Sequence, residues 1–405
     1  MIPLEGSPQV LALRDLDEVR AALERIRVSR GGMDIMGPKA LFRVVRVTGL
    51  DVRAASILKQ EMLSRGGEVA VSREVYELGA QKADCVVMGT LAQFERLLPK
   101  LRRQPFGLRR LADGIEAALQ GYGAALPAAP PGLDFSRGPL LMGIINITPD
   151  SFSDGGSYQG APAAVAAART MVEEGADLID VGGESTRPGA DAVDEDEESR
   201  RVLPVVEALA SEFPGRISVD TYKAKVAARC LAAGAYLVND ISALRMDPEM
   251  VAVLRDARCP VILMHMQGEP RTMQESPVYD DVVEDVYRFF VERLNWAVDQ
   301  GLREEDLLID PGIGFGKTVA HNLQLLRDLS AFRSLGRPLV VGTSRKRFLG
   351  SVLDLPEPRT RDQATAVTGA LAAWEGAHIL RVHDVRVNRD AVRVARALMT
   401  GGRGT

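Results

Sequence analysis

The chain places polar residues of a few selected types at regular intervals, each at the end of a short apolar run. Asn146 closes the first run, Asp220 the third, Asn239 and Asp240 the fourth, His265 the fifth and Asp310 the sixth. Ser344, Arg345 and Lys346 follow the seventh run, and Arg381 and His383 mark the eighth. Asp220, Asn239 and Asp310 supply hydrogen-bond acceptors, and Asn239 also donors. Such groups pair with the flat amide and amidine edges of a heterocycle, and a buried polar site rejects ligands that leave it unpaired. Arg187, Lys346, Arg381 and His383 form a cationic sector suited to phosphate oxygens. The implied ligand has a hydrogen-bonding ring at one end and an anion at the other. A lone Asp or Asn after a strand is as well explained as the cap of the next helix. Capping, however, does not call for Lys346, Arg381 and His383. His265 fits a core histidine bonded to backbone as well as it fits catalysis.

Those residues need a frame that brings eight strand ends together. The apolar runs Leu140–Ile147, Leu178–Val181, Ile217–Val219, Tyr236–Val238, Val261–Met264, Leu307–Ile309, Leu339–Val341 and Ile379–Val382 alternate with helical stretches. Short continuous apolar strands are those of a parallel sheet covered on both faces. Eight strand–helix units in some 260 residues predict an α/β fold, a (β/α)8 TIM barrel, whose strand C-termini share one rim. A doubly wound open sheet is the structural competitor. The predicted organisation is a small α/β domain over 1–125, a Pro- and Gly-rich linker over 126–138 and the barrel over 139–400. In the first domain, a helix is predicted from Asp15 to Arg27, a strand over Ala40–Thr48 and a helix over Ala54–Ser64. Strands over Glu68–Val71 and Cys85–Met88 and a helix over Leu91–Leu101 complete it. No catalytic motif falls there.

Composition narrows the function classes. The formal net charge is −5. Residues 1–131 carry +4, and the remainder −9. Neither value points to a nucleic-acid or membrane-surface protein. No apolar stretch is long enough to span a bilayer. The three cysteines, Cys85, Cys230 and Cys259, are far apart, so neither a zinc site nor a disulfide framework is expected, and a reduced cytoplasmic setting is. The segment Gly312–Thr318 lacks the spacing of a nucleotide-binding phosphate loop and reads as a barrel loop.

With those residues in view, the barrel resembles the dihydropteroate synthases, pterin-binding TIM-barrel enzymes. The resemblance rests on MGIINITPDSFSDGG at Met142–Gly156 and GGESTRPGA at Gly182–Ala190. SVDTYK, LVNDIS, LMHMQGEP, DPGIGFGK, GTSRK and LRVHDV follow in family order. It implies a transferase of folate biosynthesis. Such an enzyme condenses 6-hydroxymethyl-7,8-dihydropterin diphosphate with p-aminobenzoate to give dihydropteroate and diphosphate. Magnesium and a homodimer are also implied. By position, Asp220, Asn239, Asp310 and Lys346 match the pterin pocket, and Thr186, Arg381 and His383 the diphosphate pocket. Thr186, Arg187, Pro188, Phe315 and Ser344 match the p-aminobenzoate site, and Asn146 the magnesium ligand. Asp220, Lys346, Arg381 and His383 carry the catalytic expectation. The alternatives are a pterin-binding barrel methyltransferase acting on methyltetrahydrofolate and a noncatalytic pterin-binding paralogue. The diphosphate-binding residues favour the synthase.

Overall fold

A computed structural model describes residues 9–73, 75, 81–124, 127–147, 160–185, 193–268 and 272–399. The chain divides into two units, Met1–Gly123 and Ala124–Thr405.

In the first unit, strands β1 (Phe42–Asp51), β2 (Glu68–Val71) and β3 (Lys82–Thr90) form an antiparallel sheet in the order β1-β3-β2. Alternation sets the faces: Ala83, Cys85 and Val87 of β3 are buried, and their neighbours are more exposed. The buried side packs on Leu58 and Met62 of helix Val52–Leu63 and on Phe94, Leu97 and Leu101 of helix Leu91–Leu101. Thr90 and Gln93 start the latter with a capping box, Gln93 Oε1 accepting from Thr90 N at 2.7 Å. Among the described residues, helices Arg30–Ala40 and Leu108–Gly123 add to those expected. In Arg30–Ala40, Gly31, Gly32, Gly37 and Pro38 mask the periodicity. Leu108–Gly123 keeps a legible spacing through Leu108, Leu111, Ile115 and Leu119.

The second unit is the expected barrel. Its strands are β4 (Leu140–Asn146), β5 (Leu178–Gly182), β6 (Ile217–Asp220), β7 (Leu237–Asp240), β8 (Val261–Met264), β9 (Leu307–Asp310), β10 (Val340–Val341) and β11 (Ile379–Val382). All adjacent pairs are parallel, in the order β10-β11-β4-β5-β6-β7-β8-β9. A parallel bridge between Ile309 and Leu339 joins the two ends of that order.

Strand parity explains where the polar residues lie. One parity, including Ile179, Val181, Val219, Val238, Leu263, Ile309 and Val382, packs outward against the helices. The other parity points inward. At the strand starts it is apolar: Met142, Leu178, Leu237, Ile262, Leu308, Val340 and Ile379 form a floor. One step up, the same parity reads Asp180, Ser218, Asn239, Asp310 and Arg381. Leu133 and Phe135, within the Pro- and Gly-rich segment, are buried in that floor, and Tyr236 Oη donates to the Pro131 carbonyl at 2.6 Å. Part of this segment therefore covers the barrel bottom in addition to connecting.

Candidate functional site

The polar layer above the floor is a connected network. Arg381, from β11, donates through Nε to Asp180 Oδ2 at 2.5 Å and through Nη2 to Asp220 Oδ2 at 2.6 Å. Asn239 Nδ2 reaches the same Asp180 oxygen at 3.1 Å, and Ser218 Oγ donates to Asp180 Oδ1 at 2.6 Å. Four strands thus meet on one carboxylate. Planar guanidinium geometry lets Arg381 serve two carboxylates from separate nitrogens held in one rigid plane.

Asp310 lies at the end of β9 and accepts from Gly312 N at 2.7 Å. The following turn is pressed onto the strand beside it. A Cβ at Gly312 would stand 1.8 Å from the His265 carbonyl oxygen, and φ there is +67°, so glycine alone fits. This turn presents Phe315, whose ring lies 4.6 Å from Lys346 Nζ, and Lys346 also donates to the Ile313 carbonyl. Phe315 joins Tyr222, Ile241, Met264, Met266 and Met273 in an apolar wall. Polar groups on one side and thioethers with an aromatic on the other suit a flat, partly polar ring.

Electrostatics follow from the burial. Burial pushes Asp220 up to about 7, opposed by Arg381 and reinforced by Asp180. Burial also raises Asp310, with Lys346 and the Gly312 amide pulling against it. Lys346 is pulled down to about 8 by burial, and Asp310 opposes the change. Burial likewise disfavours the charge on Arg381, but Asp180 and Asp220 outweigh it and hold the guanidinium ionised. Perturbed acids and bases gathered in one concavity mark a functional site.

Of the residues singled out in the sequence, Asp220 and Arg381 are joined directly, and Arg381 is linked to Asn239 through Asp180. Asp310, Lys346 and Phe315 share the adjoining turn. Ser344 Oγ lies 2.9 Å from His383 Nδ1 and accepts from His383 N at 3.0 Å, so the loops after β10 and β11 are tied together. Arg345 turns away and makes a bidentate pair with Asp362 at 2.7 and 2.8 Å. Asn146 ends β4, half-buried. Thr186, Arg187 and Pro188 lie outside the described residues.

Two members of the site were not singled out. Asp180 lies inside the run Leu178–Val181, and its charge was the available signal. Lys317 is buried beneath the Phe315 turn, its Nζ 2.9 Å from His265 Nδ1 and 2.9 Å from the Phe315 carbonyl. His265 therefore contacts a lysine side chain as well as backbone. Burial and the Lys317 charge both lower its pKa.

A family model described as "Pterin binding enzyme" matches residues 142–383. A probable bifunctional folylpolyglutamate synthase/dihydropteroate synthase of Halobacterium salinarum is 44% identical over 389 residues. That alignment covers 95% of this chain but 46% of that protein, so the chain spans about half the length of this relative. The dihydropteroate synthase of Escherichia coli K12 is 47% identical over 268 residues, 66% of this chain and 94% of that one. A solved structure of dihydropteroate synthase from Xanthomonas albilineans with 7,8-dihydropteroate is 45% identical, with a TM-score of 0.59. It covers 66% of this chain and 95% of that chain.

Proposed function

The chain belongs to the pterin-binding enzyme family, and we propose that its barrel is a dihydropteroate synthase. The reaction joins the exocyclic methylene of 6-hydroxymethyl-7,8-dihydropterin diphosphate to the nitrogen of p-aminobenzoate and releases diphosphate. The carrying observation is the polar layer in which Asp180, Asp220, Asn239 and Arg381 meet, beside Asp310 and Lys346.

The residues divide the work by position. Asp310 and Asn239 hold the polar edge of the ring, and the methionine wall covers its face. The electron-rich dihydropterin shares the positive charge that develops as the C–O bond breaks. Asp220 supplies a carboxylate facing that charge. His383, Thr186 and the free edge of Arg381 bind the departing diphosphate. Phe315, Ser344, Arg187 and Pro188 form the arylamine pocket. The arylamine attacks as a neutral nucleophile, forms the C–N bond and releases its proton. No strong base is required, because the chemistry is mostly positioning and charge stabilisation.

Asn146 is the protein ligand assigned to magnesium. Its Oδ1 lies near the end of β5, 3.6 Å from where a Cβ at Gly182 would stand. Among the described residues, no cluster of three or more His, Cys, Asp or Glu is arranged for a metal. Magnesium takes few protein ligands and keeps water and phosphate oxygens. When bound, it neutralises charge on the leaving diphosphate. The test is diphosphate release by the full chain. Release is expected only when both substrates and magnesium are present, and Asn146→Ala should raise the magnesium concentration needed. Release that ignores p-aminobenzoate would refute the synthase reading.

The working form is assigned as a cytoplasmic homodimer. Support for a reduced compartment comes from Cys85, Cys230 and Cys259, all buried and unpaired. Support for a dimer comes from helices Asp362–Trp374 and Val385–Met399, which expose Val367, Leu371, Val394 and Leu398 by 60% or more. Large apolar groups concentrated on neighbouring helices are a mark of an interface. Leu371→Glu is expected to convert the dimer to a monomer in sedimentation analysis. A wild-type monomer at micromolar concentration would refute the assignment.

A further inference from the structure

Asp180 is 0% exposed and lies in the middle of β5, below the level at which Asp220 and Asp310 end their strands. Its three donors come from three other strands: Ser218 from β6, Asn239 from β7 and Arg381 from β11. Neither β7 nor β11 is adjacent to β5 in the sheet, so the carboxylate ties strands across the barrel interior.

The chemistry of an ionised carboxylate gives this position a direction. It accepts and never donates. Asn239 must therefore turn its Nδ2 toward Asp180, which leaves the amide oxygen for a ligand. Arg381 is likewise fixed, with Nε on Asp180 and Nη2 on Asp220. We propose that Asp180 is a positioning residue for ring recognition, setting which edge of Asn239 and of Arg381 the substrate meets. The inference rests on the synthase reading of this barrel and adds the source of its preference for a ring with donors on one edge. A neutral amide at position 180 can donate as well as accept. Asn239 could then present its nitrogen to the ring and leave ring donors unpaired.

The test is Asp180→Asn in the full chain, with calorimetric binding of 6-hydroxymethyl-7,8-dihydropterin and steady-state kinetics. Pterin affinity is expected to fall on the order of 10- to 100-fold, the effect of leaving a buried ring donor unpaired. The KM for p-aminobenzoate should stay within about 3-fold, since no arylamine contact is altered. In an Asn239→Ala background, Asp180→Asn should cost much less than it does alone. Equal pterin affinity in wild type and variant, or losses that simply multiply in the double variant, would overturn the proposal. Should Asp180→Asn fail to fold, Ser218→Ala removes only the hydroxyl that orients the carboxylate. It is expected to weaken pterin binding several-fold with the p-aminobenzoate KM unchanged, and unchanged pterin affinity there overturns the proposal too. Wild-type protein that binds the pterin but releases no diphosphate would instead refute the catalytic reading, so the two failures are distinguishable.

Discussion

Arg381→Ala is expected to abolish turnover and to lower barrel stability by about 3–5 kcal/mol, the cost of breaking a buried ion pair by deleting one partner. The guanidinium is the cation placed between Asp180 and Asp220. Its removal leaves two carboxyl groups in a dry layer without their shared donor, one of them 0% exposed. In a barrel of this size the loss corresponds to a melting shift of roughly 10 °C. Ligand binding should respond in a way that separates two roles. A residue serving only the phosphate tail would, when removed, weaken the diphosphate ester and spare the free pterin. With Nε and Nη2 on the ring-binding network and its remaining donors left for the diphosphate, Arg381→Ala should weaken both ligands, and the ester more. Arg381→Lys keeps the charge but cannot serve two carboxylates with a rigid fork, so it should recover much of the stability and little of the activity. Wild-type melting behaviour in Arg381→Ala would show that the two carboxylates are not held by this side chain.

Much of this site was legible in the sequence because barrel geometry makes position informative. A polar residue that ends an apolar strand has few places to go except the rim, which is how Asp220, Asn239 and Asp310 stood out. Asp180 was hidden by the same rule applied too coarsely. It sits within a strand that reads as apolar, and only the alternation of inward and outward side chains separates it from Ile179 and Val181. Lys317 was hidden for a different reason. A lysine among glycines suggests a solvated loop, whereas tight packing of Gly312 and Gly316 on residues 265–267 draws its ammonium beneath the turn. Arg345 shows the converse: neighbours Ser344 and Lys346 face the site, but positive φ at Arg345 directs its side chain to Asp362. In the first unit, periodicity revealed most helices, but strand pairing depends on partners distant in sequence and was not readable.

Asp220→Asn should produce the second large effect, on rate. Asp220 ends β6 with a pKa near 7, and only its ionised form can oppose the positive charge that grows as diphosphate departs. The wild-type kcat/KM should therefore fall as pH drops below about 7. The variant keeps the shape and hydrogen-bonding reach of the side chain but carries no charge. Its kcat should drop on the order of 100-fold, the usual cost of losing one preorganised electrostatic group, while pterin affinity changes much less. Its acidic limb should also vanish. Stability should move the other way. The folded-state pKa is raised above the ordinary value of 3.8. Folding therefore favours the protonated acid, and wild-type stability declines as pH rises from near 4 to near 7. Asparagine cannot ionise, so the variant lacks that decline and should gain on the wild type across the same interval. The two outcomes together identify a carboxylate held charged for its chemistry at a cost to the fold. A variant that keeps full turnover and loses only pterin affinity would reduce Asp220 to a ring contact.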